Sequence, residues 1–253
     1  MPVFGIIASS RLTGGLPVSG ASLWLDAADE TTFSFSSGTR VSEWRDKSGN
    51  GYDFTQATAA YQPDRSATQN GKSALILRPN GEAAKYYVRN TSWNWANQAF
   101  TVLTVVRPNT GEFSGYISQD NTGTIHLGQN SSSPAALALS RVGQATAASD
   151  LTHTIDVTFQ ATYKSAGVSA GSATVQIYKN KVAANATQTL SSYTTQAVSM
   201  IGGSQSNLGA AFADPFKAGT TSGFICEMII YPSQLNDTDR ESVEDYLIDK
   251  WGL

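Results

Sequence analysis

A single cysteine, Cys226, in a chain of 253 residues leaves no partner for an intrachain disulfide and no thiolate set for zinc. Its place inside the apolar run FICEMIIY marks it as a small core residue. Two histidines, His126 and His153, are too few for a multi-histidine metal centre, and neither accompanies a nucleophile motif such as G-x-S-x-G. Both sit in strand-like contexts, TIHLG and LTHTI, which assigns them to packing or to surface hydrogen bonding. Charge is scarce as well: 15% of residues are charged and the formal net charge is −3, so there is no basic field to hold a phosphate backbone, and nucleic acid is not an expected partner. No apolar run reaches the ~18 residues of a membrane span. No glycine-rich loop opens a helix for nucleotide phosphates, and no cofactor is expected. The start, MPVFGIIASSRLTGG, has no basic residue before its apolar patch, which is shorter than the ~7 to 15 residues of a signal-peptide core. The expectation is a chain made in a cytoplasm and left uncleaved.

What is abundant is β-forming. HTIDVTFQATY places Ile155, Val157, Phe159, Ala161 and Tyr163 on one face and Thr154, Asp156, Thr158, Gln160 and Thr162 on the other, the pattern of a half-buried antiparallel strand. FTVLTVVRP (100–108), PAALALSRV (134–142), ATVQIYKN (173–180) and FICEMIIY (224–231) behave similarly, bounded by Gly, Pro, Asn or Ser. Many short strands with polar turns and no fixed-period repeat predict an all-β, two-sheet antiparallel sandwich or jelly roll. LNDTDRESVEDYLIDKWGL breaks the pattern: Asn236 or Asp237 caps a helix, and Val243, Tyr246, Leu247 and Trp251 form a stripe that packs on the sandwich. Its acidic residues, Asp237, Asp239, Glu241, Glu244, Asp245 and Asp249, read as a solvated face. Residues 1–20 read as an extended arm and linker ahead of a domain at 21–253. Val3, Phe4, Ile6 and Ile7 are costly to leave in water, so the arm is expected to dock on its own domain or on a neighbour.

Two stretches hold the candidate binding chemistry. In RDKSGNGYDF (45–54), Asp46, Ser48, Asn50 and Gly51 fall where an EF-hand loop has its first ligands and glycine, but position 12 is Ala57 instead of a bidentate glutamate. A rigid turn explains the same residues, with Asp46 and Ser48 accepting from backbone amides; a weak calcium site is the alternative. In AKYYVRNTSWNWANQ (84–98), Tyr86, Tyr87, Trp93 and Trp95 alternate with Asn90, Asn94 and Asn97, flat rings beside amides that suit a sugar. The competing reading is that Trp93 and Trp95 share one face of a strand and fill the sandwich.

LWLDAAD (23–29), VSEWRDKSGNGYDFTQ (41–56), QPDRS (62–66) and NGKSALIL (70–77), with a close of GFICEMIIYPSQLNDTDRESVEDYLIDKWGL (223–253), resemble the two ends of concanavalin A-like domains of the laminin G type found in bacterial and phage proteins. The resemblance implies a two-sheet jelly roll enclosing the poorly matched middle. Some members of that wider superfamily hydrolyse glycans with a Glu-x-Asp-x-x-Glu strand, and none of the seven glutamates here begins such a motif; Glu227 stands alone between Cys226 and Met228. No enzyme activity is expected. Together with the apolar arm, the resemblance implies a tailed-phage virion part (capsid decoration, head or tail fibre) assembled in the host cytoplasm. Its expected partners are capsid or tail proteins through the arm, and cell-surface glycans. A homo-oligomer or symmetric array is the expected assembly, with no heptads to impose it. The alternatives are a bacterial surface or secreted carbohydrate-binding module and, further off, a glucanase.

Overall fold

Strands of alternating polarity carry the chain back and forth between two antiparallel sheets in a computed structural model. It describes residues 15–78, 87–90, 93–108, 114–119, 125–130, 135–141, 147–154, 157–169, 172–191, 198–202, 204–205, 212–213 and 223–253. The first sheet runs Asp64–Gln69, Lys72–Arg78, Gly223–Tyr231, Thr101–Arg107, Phe159–Ser169, Ser172–Lys179 and Gln188–Ser191. Leu23–Asp26 also pairs with Gly223–Tyr231, Leu23 facing Ile230 and Asp26 facing Glu227. The second sheet runs Phe33–Ser37, Arg40–Trp44, Phe54–Thr55, Tyr87–Asn90, Val198–Ile201, Ser114–Gln119, Ile125–Gln129, Ala135–Arg141 and Ala147–His153. One pairing, Arg40 with Asp64, stitches the sheets at a corner. Between them lies the main core, with Trp44, Phe54, Phe100, Phe159 and Tyr163 among its largest members. The architecture is a jelly-roll β-sandwich.

The first sheet is covered on its other side too. Val243, Leu247 and Trp251 of the helix Asp237–Trp251 pack on Trp24, Leu103, Val105, Cys226, Ile229 and Tyr231 to form a second apolar cluster. Gly223–Tyr231 is therefore buried at every position, where the sequence pattern predicted a half-buried strand. A strand with both faces covered loses its polar alternation. It also contains a β-bulge: Ile225 pairs with Val106 and Glu227 with Val105, leaving Cys226 as the extra residue. Such an insertion puts two consecutive side chains on one side. Cys226 and Glu227 thus both face the helix, while Met228 and Ile230 return to the main core.

The helix ends follow the sequence closely. Asn236 is the N-cap, its side-chain oxygen accepting from the Asp239 N–H at 2.9 Å. Gly252 closes the C-terminus with φ +68° and donates its N–H to Ile248 O at 2.8 Å. A Cβ there would also meet Asn70 Cγ at 2.9 Å, because Asn70 donates to the Lys250 carbonyl and leaves no space. One assignment on this helix is corrected. Glu244, expected on a solvated face, is fully buried: it pairs with Arg240 and accepts from Thr162 Oγ1 at 2.8 Å. The helix lies over the polar face of Phe159–Ser169, so Thr162 and Gln160 are capped by protein instead of water. Arg240 stacks over Tyr178, 4.0 Å from the ring centroid.

The segment 153–163 is likewise divided. His153 ends a strand of the second sheet and Phe159 opens one of the first, with Val157 half exposed in the crossing between them. Ile155 and Asp156 lie outside the described residues. Val3, Phe4, Ile6 and Ile7 of the arm also lie outside them. Leu16 and Val18 already pack on the helix-side cluster, and Tyr231 Oη donates to Val18 O at 2.8 Å, so residues 16–18 belong to the domain surface. Leu247→Ala is expected to lower the unfolding free energy by about 2 to 5 kcal/mol, through lost burial and a residual cavity. Asp249→Ala, on the exposed side, is expected to stay within ~0.5 kcal/mol. Urea titration of the two variants checks the contrast.

Candidate functional site

The turn 45–54 is organised by one carboxylate. Asp46 Oδ1 accepts from the backbone N–H groups of Trp24 at 3.0 Å and Ser48 at 2.8 Å, and Oδ2 accepts from Tyr52 N–H at 3.1 Å and Ser48 Oγ at 2.7 Å. Asp53 Oδ1 in turn accepts from the Asp46 N–H at 2.8 Å. Asn50 Nδ2 reaches the Ala21 and Ser22 carbonyls at 3.3 and 3.2 Å, and Ser48 Oγ also donates to Ser22 O. Asp46 spends its acceptor sites on four donors of the protein itself, which is how a clamp between the turn and the strand Leu23–Asp26 is made. Gly49 and Gly51 take φ of +89° and +70°, left-handed geometry that a residue without a Cβ adopts at no steric cost. Among the described residues no group of three His, Cys, Asp or Glu side chains comes together to hold a metal ion. A groove of about 570 Å³ opens beside the turn, lined by Leu16, Val18, Trp24, Lys47, Asn50 and Pro232 among others.

The aromatic segment folds differently from a flat sugar platform. Trp95–Asn97 is a 3-10 turn, not a strand, and Trp95 is 1% exposed, edge-on to Phe100 at 5.2 Å. Trp93 is 8% exposed and stacks on Tyr52 at 4.5 Å. Gln119 ties the segment down, donating to Trp93 O and accepting from the Ala96 N–H, both at 3.1 Å. The two indoles fill the core, so their ring faces are not an open surface, and Asn94 follows them inward as a partly buried residue. Tyr86 lies outside the described residues, and Tyr87 begins the strand Tyr87–Asn90. Both histidines are packed inside: His153 Nε2 contacts Gln129 Oε1 at 2.7 Å, and His126 is 1% exposed. Burial lowers His126 to about 3 and, together with the Lys179 charge, lowers His153 to about 4.

The densest chemistry gathers around a residue the sequence left alone. Glu227, fully buried by the bulge, accepts from Trp24 Nε1 at 2.7 Å and Tyr246 Oη at 2.9 Å on Oε1, and from Trp251 Nε1 at 2.8 Å on Oε2. Lys250 Nζ lies 2.6 Å from Oε2 and 2.8 Å from Asp26 Oδ1. Lys47 Nζ continues the chain of charges to Asp26 Oδ2 at 3.0 Å and Asp29 Oδ2 at 2.8 Å, and sits 4.3 Å from the Trp24 ring centroid. Asp29 is pulled down to about 2, chiefly by its hydrogen bond to Lys47. Burial instead pushes Glu227 above the ordinary carboxylate range, with the Asp26 charge adding to it. The residues of LWLDAAD, RDKSGNG and the terminal Lys-Trp-Gly therefore meet in one place. The signal available in the sequence was their shared resemblance, with Glu227 in the strand between them.

Asp46→Ala is expected to cost about 2 to 4 kcal/mol, because several backbone donors lose their acceptor. Millimolar calcium is expected to leave the wild-type melting temperature unchanged, and a calcium-dependent rise would restore the metal-site reading. The histidines set an acid limit with a definite sign. Their folded pKa values of about 3 and 4 lie below the 6.5 of a free imidazole, so their contribution is complete above pH 6.5 and is lost as pH falls toward those values. Relative to His126→Gln, the wild type is expected to lose stability by up to about 1.4 kcal/mol per pH unit between pH 6 and 4. Chemical denaturation of both proteins across that range checks the slope.

No protein-family model matches the chain, and no curated protein matches it in sequence. Solved structures match in fold. The botulinum neurotoxin type G receptor-binding domain aligns at 14% identity and TM-score 0.53, over 91% of this chain and 52% of that one. The binding domain of botulinum neurotoxin DC in complex with SialylT aligns at 13% and 0.55, over 90% and 52%. Trypanosoma rangeli sialidase in complex with the inhibitor DANA aligns at 12% and 0.53, over 96% and 34%. The chain spans about half the length of these neurotoxin domains and about a third of the sialidase. What it has in common with them is the fold, a jelly-roll β-sandwich.

Proposed function

We propose that the chain is a non-catalytic, lectin-like binding domain of the concanavalin A-like kind, displayed on a tailed-phage virion as a capsid decoration or fibre component. In this reading the N-terminal arm holds it to capsid or tail proteins, and the sandwich touches host-cell glycans. The observation that carries the non-catalytic part is the state of the buried carboxylates. Glu227 is closed off by two indoles, a phenol and an ammonium, and Glu244 by Arg240 and Thr162, so neither is offered to a substrate. Binding is supported by the neighbours in fold, which include a neurotoxin domain titled as receptor-binding and neurotoxin binding domains solved with SialylT and with rat synaptotagmin II. The phage setting rests on the resemblance of both chain ends to domains of phage and bacterial proteins, and on the apolar Val3, Phe4, Ile6 and Ile7.

The groove beside the turn is the surface we assign to the glycan. Leu16, Val18 and Pro232 give it apolar patches and Asn50 and Ser48 a polar rim, the combination that suits a sugar ring. Deleting residues 1–14 leaves Leu16 and Val18 in place. It is expected to give a folded domain with an unchanged glycan-array profile that no longer enters particles. Normal incorporation would overturn the anchoring role, and a blank array for the wild type would overturn glycan binding.

A further inference from the structure

Lys250, Asp26 and Glu227 are arranged for more than an ion pair. Lys250 Nζ is 2.8 Å from Asp26 Oδ1, the oxygen bonded to the carbon that an amine would attack, and 2.6 Å from Glu227 Oε2. The Ala28 backbone N–H donates to Asp26 Oδ1 at 3.0 Å, and Lys47 Nζ meets Oδ2 at 3.0 Å. Trp24, Trp251 and Tyr246 close the site, with Glu227 fully buried and Asp26 4% exposed. An amine fixed against a carboxyl group, a second carboxylate on that amine, and donors on both carboxyl oxygens are what an amide-forming step requires.

We propose that the triad joins itself, forming an isopeptide bond between Lys250 Nζ and Asp26 Cγ with Glu227 as the proton carrier. Glu227 takes a proton from the Lys250 ammonium, and its burial-raised basicity favours the transfer. The freed amine adds to Asp26 Cγ, and the negative charge gathering on the carboxyl oxygens is met by Lys47 and the Ala28 N–H. The carbon–oxygen bond then breaks. Of the three ammonium hydrogens, one stays on the amide nitrogen and two leave on the departing oxygen as water, one of them returned by Glu227. Nothing is oxidised or reduced, and no co-reactant is needed.

Two opposite charges disappear from a largely buried site, which removes a desolvation cost that a buried ion pair carries permanently. The pair is preorganised, so proximity supplies much of what a bimolecular condensation would lack. The bond would fasten the strand Leu23–Asp26 to the last turn of the helix and enclose residues 26–250 in a covalent ring. This is one intramolecular event, separate from turnover, and it does not rest on the glycan or virion reading.

Intact-mass spectrometry of the purified full chain, under denaturing conditions, tests it. The wild type is expected to be lighter than its sequence by one water, with a proteolytic fragment joining the peptides that contain Asp26 and Lys250. Lys250→Arg is expected at full sequence mass, and Glu227→Gln with most molecules unjoined. A wild type at full sequence mass, or a lost water mapped to other residues, overturns the bond whether or not either variant folds. Complete joining in Glu227→Gln overturns the role of Glu227.

Discussion

A carboxylate taken wholly out of water must find its hydrogen bonds inside the protein, and Glu227 finds them from both ends of the chain. Trp24 comes from the first described strand, and Tyr246, Lys250 and Trp251 come from the final helix. Trp24, Tyr246 and Trp251 each also have an apolar body that packs in the cluster under the helix. The polar centre therefore dictates where four large side chains sit, and those side chains seal it. Removing the acceptor would leave two indole N–H groups and the Tyr246 hydroxyl without their acceptor, and Lys250 with Asp26 as its remaining carboxylate, which costs more than the hydrogen bonds contribute when made.

The bulge at Cys226 makes this arrangement possible. A regular strand would point residue 227 at the main apolar core between the sheets. The extra residue returns Met228 and Ile230 to that core and turns Glu227 to the helix. Asp26, Lys47 and Asp29 carry the network outward to the turn held by Asp46. Among the described residues two apolar clusters lie on either side of the first sheet, one between the sheets and one under the helix, joined along Gly223–Tyr231.

Much of this was legible in the sequence. The strand stretches at 100–108, 134–142, 173–180 and 224–231, the Asn236 cap, the Val243–Leu247–Trp251 stripe and the SGNG turn follow from local rules that the tertiary structure does not oppose. What escaped depends on what covers a strand. Gln160 and Thr162 look solvent-facing by alternation, and Glu244 looks solvated on its helix, yet each becomes the cap of the other. Bulges have no residue signature, so in the sequence Glu227 reads as an isolated charge in an apolar run. Trp93 and Trp95 carry the same letters whether they fill a core or face a ligand, and only their burial against Tyr52 and Phe100 distinguishes the two. The residues of the family resemblance describe how the domain is closed and are silent about what it binds.

The central claim is that the Glu227 centre makes the terminal helix and the first strand one cooperative unit with the sandwich. Native-state hydrogen exchange addresses this residue by residue. In the wild type, the amides of Leu247 in the helix, Leu25 in the first strand and Val102 in the sandwich are predicted to exchange only through global unfolding, at one common free energy. In Glu227→Ala, the amides of Leu247 and Leu25 should lose protection together while Val102 retains more. A wild-type helix exchanging well below the sandwich, or a Glu227→Ala protein whose helix keeps full protection, would contradict the account.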